Sequence, residues 1–211
     1  MNRKIIVVGL TGQLGAGKGV ISNILTKEHG FTHYSLSDRV REIATSQERG
    51  PKNGLTGRES LQNVGNETRA WFGGDSLAKL TAGHALIDLI AGKDRIVFDS
   101  IRNPEEILFL KKIPGFKLVA VIASREQRFK NILNLNRPAD PKTFEDFCRC
   151  DDRDLGIGEN TLGQNVGKCI EMADIKLINE STRDDLGLAI CDLVYDLAGF
   201  VGETQHKSAK C

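Results

Sequence analysis

The stretch from Lys4 to about residue 28 constrains the fold more than any other. Ile5-Ile6-Val7-Val8 is a continuous apolar run with no polar alternation, the pattern of a strand covered on both faces. Gly12-Gln13-Leu14-Gly15-Ala16-Gly17-Lys18 follows closely, and an amphipathic stretch near 17–28 reads as a helix. Glycines at such a turn let successive backbone N–H groups point inward onto an anion. The helix adds its positive end, and the lysine reaches the outer oxygens. Spacing alone is weak evidence. With 22 glycines and 15 lysines in 211 residues, shuffled chains produce G-x4-G-K about once in six. Strand, glycine turn and helix in this order supply what the spacing lacks. They call for a parallel α/β sheet with a phosphate site at the C-terminal end of its first strand.

The rest of the chain continues the alternation. Strands are expected at 4–9, 32–35, 95–99, 117–123 and 174–179, with helices near 17–28, 37–47, 58–71, 75–91, 103–112, 124–136, 161–173 and 181–198. Asn103 before Pro104 reads as an N-cap with a first-turn proline, and Ser181 or Thr182 before Asp184 and Asp185 as another helix start. Two stretches depart from strict alternation. Residues 36–92 place two or three helices between the second and third strands, and residues 137–160 are polar and punctuated, as in a mobile flap. The tail from Gly202 to Cys211 reads as frayed. The whole is expected to be a single domain over residues 1–211.

Asp99 ends an apolar strand, where ligands gather in open α/β sheets, and is a candidate to hold Mg²⁺ or accept a proton. Arg102, three residues on, suits a substrate phosphate; the alternative is a capping carboxylate and a surface arginine. Ser35-Leu36-Ser37-Asp38-Arg39-Val40-Arg41 follows the second strand and opens a helix.

This last stretch resembles the second-strand exit of nucleoside monophosphate kinases, with Asp38 and Arg41 at the positions that embrace the acceptor. Ser124-Arg125-Glu126-Gln127-Arg128, with Arg137 further on, resembles the helix leading into the lid of these kinases and of dephospho-CoA kinases. Gln164 and the run Ala173-Asp174-Ile175-Lys176-Leu177-Ile178-Asn179 resemble the closing pattern of dephospho-CoA kinases, which implies that Asn179 lies beside the adenine. Thr56 to Glu67, with Gln62, Asn63 and Asn66 at helical spacing, resembles an acceptor-side helix. The resemblance covers most of residues 4–190. It implies a P-loop NTPase three-layer sandwich, with a five-stranded parallel sheet of order 2-3-1-4-5 and helices on both faces. An acceptor-binding insert would span about 36–92 and a lid about 137–160.

By that resemblance ATP sits on Gly12, Gly15, Ala16, Gly17, Lys18, Gly19, Val20 and Asn179. Asp38, Arg41 and Arg102 hold the acceptor. Lys18, Asp99, Arg128 and Arg137 serve catalysis, with Arg149 and Arg153 as further lid cations. One feature departs from the family. A Walker A loop carries Ser or Thr after its lysine to hold Mg²⁺, whereas Gly19 and Val20 follow here. Mg²⁺ must then be held mainly by water and by Asp99, or activity is reduced.

The function implied is transfer of the γ-phosphoryl group of Mg·ATP to a nucleoside or deoxynucleoside monophosphate. A hydroxyl acceptor, as in dephospho-CoA kinase, is the alternative within enzymes, and a nucleotide-binding switch or weak ATPase the alternative outside them. A net charge of +1 disfavours a general nucleic-acid binder. No apolar run reaches membrane-span length, and the first strand begins too early for a signal peptide, so a cytoplasmic protein, monomer or homodimer, is expected. Five cysteines without metal-ligand spacing read as reduced thiols.

Overall fold

The computed structural model describes residues 4–46, 57–180 and 183–199. The chain runs β1 (Ile6–Gly12), α1 (Lys18–His29), β2 (Thr32–Ser35), α2 (Leu36–Ser46), α3 (Gly57–Phe72), α4 (Ser76–Ile90) and β3 (Arg95–Ile101). It continues α5 (Pro104–Leu110), β4 (Phe116–Ile122), α6 (Arg125–Leu135), α7 (Phe144–Leu155), α8 (Val166–Glu171), β5 (Ile175–Ile178) and α9 (Arg183–Ala198). The strands form one five-stranded sheet in the order β2-β3-β1-β4-β5. Every pairing is parallel. The order and fold class are those the sequence reading anticipated.

β1 occupies the centre, and its apolar run serves both faces because side chains alternate along a strand. Ile6, Val8 and Leu10 join Ile21, Leu25, Ile190 and Leu193 beneath α1 and α9. Val7 faces the other way, into a cluster with Leu77, Phe98, Ile107, Leu110 and Leu118 beneath α4 and α5. A third, smaller cluster joins Leu14, in the glycine loop, to Ile132, Phe147 and Cys150.

Asn103 caps α5 in a full capping box with Glu106, as its position before Pro104 foretold. Three segments differ from the expected pattern. β1 extends past residue 9 to Gly12, because hydrogen bonding to β4 persists to the start of the glycine loop. Only Val166–Glu171 of the stretch 161–173 is helical; the residues before it form turns held by Asn103, whose Nδ2 donates to Thr161 O and Gly163 O. Within 137–160 lies the twelve-residue helix α7, which buries Phe147, Cys150, Asp151 and Asp154. The Ser181 or Thr182 cap and the Gly202–Cys211 tail lie outside the described residues, as does 47–56 of the insert.

Candidate active site

The glycine loop joins β1 to α1, and its backbone is oriented by side chains that grip its carbonyls. Lys18 Nζ donates to Gly12 O at 2.6 Å and to Gln13 O at 3.0 Å. Arg128 Nη1 donates to Leu14 O at 3.1 Å, Asn131 Nδ2 to Gly15 O at 2.9 Å, and Asn179 Nδ2 to Ala16 O at 2.9 Å. Five successive carbonyls are thereby occupied. Ala16 N–H is taken by Gln13 O, and Val20 and Ile21 N–H by Gly17 O; the remaining N–H groups of the loop and of the start of α1 form the anion cradle. Gly15 has φ +78°, and a Cβ there would lie 2.3 Å from Arg128 O; Gly17 has φ +102°, and a Cβ there would lie 2.3 Å from Asn179 Nδ2. Both positions require glycine, for conformation and for space. Gly19 and Val20 are exposed at the start of α1, and a Cβ on Gly19 would meet nothing within 4 Å.

Asp99 stands at the C-terminal end of β3, the strand beside β1. Burial works against its charge, but His33, Lys18 and the Ser100 N–H outweigh it and hold the carboxyl below its ordinary pKa. The Ser100 N–H donates to Asp99 Oδ1 at 2.5 Å, and Ser100 itself is in the left-handed region at φ +66°. Such a conformation in a non-glycine residue costs of order 1–3 kcal/mol and tends to occur at functional sites. His33 Nε2 lies 3.7 Å from Asp99 Oδ2, and this hydrogen-bonding carboxylate raises the pKa of His33. Burial, followed by repulsion from Arg102, pushes Lys18 down to about 8 against the pull of Asp99.

A cavity of about 440 Å³ has a lining that includes Arg41, Arg58, Arg69, Arg102 and Arg137, and the charges of Arg102 and Arg58 reach Lys18 of the loop. Three of these cations are matched by buried acids. Arg58 binds Asp140 at 2.6 Å, Arg69 binds Glu106 at 2.8 Å, and Arg102 binds Asp154 at 2.6 Å. Arg41 pairs with Asp38 across one turn of α2, at 2.6 Å, with both side chains half exposed. Arg137 is exposed and makes no ion pair among the described residues. Asp154 is fully buried; burial opposes its charge, yet Arg102, Arg58 and Gln62 keep its pKa below the ordinary value. Gln164 accepts from Arg102 Nη1 at 3.2 Å and also lines the cavity.

The structure thus brings Arg41, Arg102 and Arg137 to one cavity, and Lys18, Asp99 and Asn179 to the glycine loop and the neighbouring strand end. Arg128 is placed differently from a lid cation. It is 2% exposed, donates through Nη2 to Asp151 Oδ2 at 2.9 Å and through Nη1 to Asp151 Oδ1, and lies over the Phe147 ring. Its visible work is to fasten α6, α7 and the loop together. Arg149 is held by Glu59 and Asp146, and Arg153 by Glu159. Sequence reasoning did not find His33, a single histidine in a short strand with no motif around it. Nor did it find Asp151 and Asp154, although their spacing with Phe147 and Cys150 puts all four on one helical face.

No family model matches the chain. It is 32% identical over 192 residues to a UPF0200 protein of Pyrococcus furiosus, covering 90% of this chain and 96% of that one. It is 30% identical over 181 residues to a UPF0200 protein of Sulfurisphaera tokodaii, covering 86% and 91%. Among solved structures it resembles the shikimate kinase of Acinetobacter baumannii in complex with shikimate, with a TM-score of 0.53 and 14% identity over 92% of this chain and 95% of that one. It also resembles the shikimate kinase of Aquifex aeolicus, at 0.51 and 16% over 90% and 98%. At these identities the likeness is one of fold, and the fold is that of P-loop kinases.

Proposed function

This chain belongs to the UPF0200 family, and on that premise we propose that it is a kinase transferring the γ-phosphoryl group of ATP to a nucleoside or deoxynucleoside monophosphate. The observation that carries the reading is the pairing of two anion sites: a glycine loop with its carbonyls turned away, and an arginine-lined cavity whose Arg102 and Arg58 act on Lys18 of that loop. One suits a donor's phosphates, and the other suits an acceptor that is itself an anion.

ATP, when bound, supplies the phosphoryl group. The loop N–H groups and Lys18 hold its phosphates, Lys18 exchanging two backbone carbonyls for phosphate oxygens. Asn179, fixed against Ala16 O, borders the loop where the adenine end would lie. For Mg²⁺ the candidate protein ligand is Asp99, and no group of three His, Cys, Asp or Glu among the described residues is arranged for a metal. One carboxylate suffices for a cation that normally keeps several waters and takes phosphate oxygens. Arg41 and Arg137 hold the acceptor phosphate, and Arg102, braced by Asp154, lines their cavity. Residues 137–160 act as a lid over the arginine cavity, to whose lining they contribute Arg137 and Asp140. Its role is to exclude water, so that the phosphoryl group reaches the acceptor and is not hydrolysed.

A hydroxyl acceptor is the second reading, supported by Asp99, whose depressed pKa keeps it available as a proton acceptor beside Lys18. Steady-state kinetics of Arg41→Ala separate the two. On the monophosphate reading the acceptor's KM rises sharply while that of ATP holds. An unchanged acceptor KM would contradict it. A switch or weak ATPase would bind ATP without any acceptor-stimulated turnover.

A further inference from the structure

Two side chains of the arginine cavity are incompletely bonded. Gln62 and Asp140 both line it, at 5% and 4% exposure. Gln62 Oε1 and Asp140 Oδ2 are buried with no hydrogen-bond partner among the described residues. The Gln62 amide cannot simply be turned over. Its Nε2 donates to Cys150 O at 3.2 Å and to Asp154 Oδ1 at 2.8 Å, so the flipped amide would set oxygen against two acceptors. Asp140 Oδ1 takes both Nε and Nη2 of Arg58, at 3.2 and 2.6 Å, leaving Oδ2 over. Arg58, which holds Asp140, and Gln62 are one turn apart on one face of α3, and Gln62 and Asp140 line the same cavity.

Buried acceptors without partners are rare in folded proteins, and each is destabilising. Two together in a cavity otherwise rich in cations call for donors from a ligand. We propose that Gln62 Oε1 and Asp140 Oδ2 form a specificity subsite that accepts hydrogen bonds from N–H or O–H groups on the non-phosphate part of an anionic acceptor. Arg41 and Arg137 hold the anion of the same molecule. The proposal rests on the kinase reading above and narrows its substrate class. The donors belong either to amino and imino groups of a nucleobase or to sugar hydroxyls.

The test is acceptor-dependent turnover at saturating Mg·ATP, using monophosphates matched to differ by one donor. GMP against IMP, and AMP against purine ribonucleoside monophosphate, remove a base amine; ribo- against 2′-deoxynucleotides remove a sugar hydroxyl. Wild-type protein should prefer the donor-bearing member of at least one pair by about tenfold or more in kcat/KM. Asp140→Asn keeps an oxygen for Arg58 and presents an N–H₂ in place of Oδ2. It should shrink or invert that preference by about tenfold while the KM for ATP holds. A merely structural role would lower all acceptors alike and leave the ratio unmoved. The affected pair identifies base or sugar as the source. Turnover without discrimination in any pair, or an unchanged ratio in Asp140→Asn, overturns the subsite and leaves the kinase reading intact. Absence of turnover with every monophosphate overturns both. The wild-type comparison needs no variant, so it stands even if Asp140→Asn fails to fold.

Discussion

Arg128 separates two accounts of the same arginine, and Arg128→Met decides between them. In the structure its guanidinium is 2% exposed and faces Asp151, which is fully buried. Removing one member of a buried pair costs about 3–5 kcal/mol, because the other charge is left without compensation. Arg125 Nε, 3.3 Å from Asp151 Oδ2, retains part of that compensation, which places Arg128→Met near the lower end, about 3 kcal/mol. For a domain of this size each kcal/mol moves the melting temperature by roughly 2–4 °C, so thermal unfolding followed by circular dichroism should show a fall of roughly 6–12 °C. Leu14 O loses its donor at the same time, so the KM for ATP should rise. Pairing the substitution with Asp151→Leu removes both charges and should recover most of the lost stability. A variant that melts like wild type but loses about 100-fold in kcat would refute this reasoning. Arg128 would then be a lid cation acting on the transition state.

Lys18 gives a pH dependence whose sign follows from its pKa of about 8 in the free protein. Above that pH it loses the charge that captures ATP, so kcat/KM for ATP should fall as pH rises through about 8. Bound phosphates hold the proton on Lys18, so kcat itself should stay flat over the same range; a pH–rate profile checks both. Gly17→Ala forces a side chain into φ +102° and against Asn179, at about 1–3 kcal/mol for the backbone alone. Urea unfolding of Gly17→Ala, Asn179→Ala and the double variant should be non-additive, since removing Asn179 relieves the clash. Gly19→Ser enters open space and should leave the melting temperature unchanged while lowering the Mg²⁺ concentration needed for half-maximal turnover. An unchanged Mg²⁺ requirement would mean that the hydroxyl has no metal to meet.

Much of the fold was legible because its strongest signals are local. The unbroken run Ile5 to Val8 announces a doubly covered strand, and the glycines after it leave few alternatives to a phosphate loop. The Asn103-Pro104 start of α5 was readable for the same reason. Strand order is not local information, and it came from the resemblance. α7 escaped notice because half of its buried face is acidic: Asp151 and Asp154 look solvated until their arginines, 23 and 52 residues away in sequence, are in place. The Arg128–Asp151 pair was hidden on the same grounds, since a sequence does not reveal which arginines are already neutralised by a distant carboxylate. The Asp38–Arg41 pair, one helical turn apart, was not among the readings either, since both residues were assigned to the acceptor.

The central claim is that the loop and the cavity serve one transfer between two anions. The most direct measurement is ATP consumption by the purified protein with Mg²⁺ over a panel of ribo- and deoxynucleoside monophosphates and dephospho-CoA, with Lys18→Ala in parallel. The account predicts stimulation by at least one monophosphate, with formation of the matching diphosphate and loss of most turnover in the variant. Stimulation by dephospho-CoA alone, ATP binding with no acceptor response, or full activity in Lys18→Ala would contradict it.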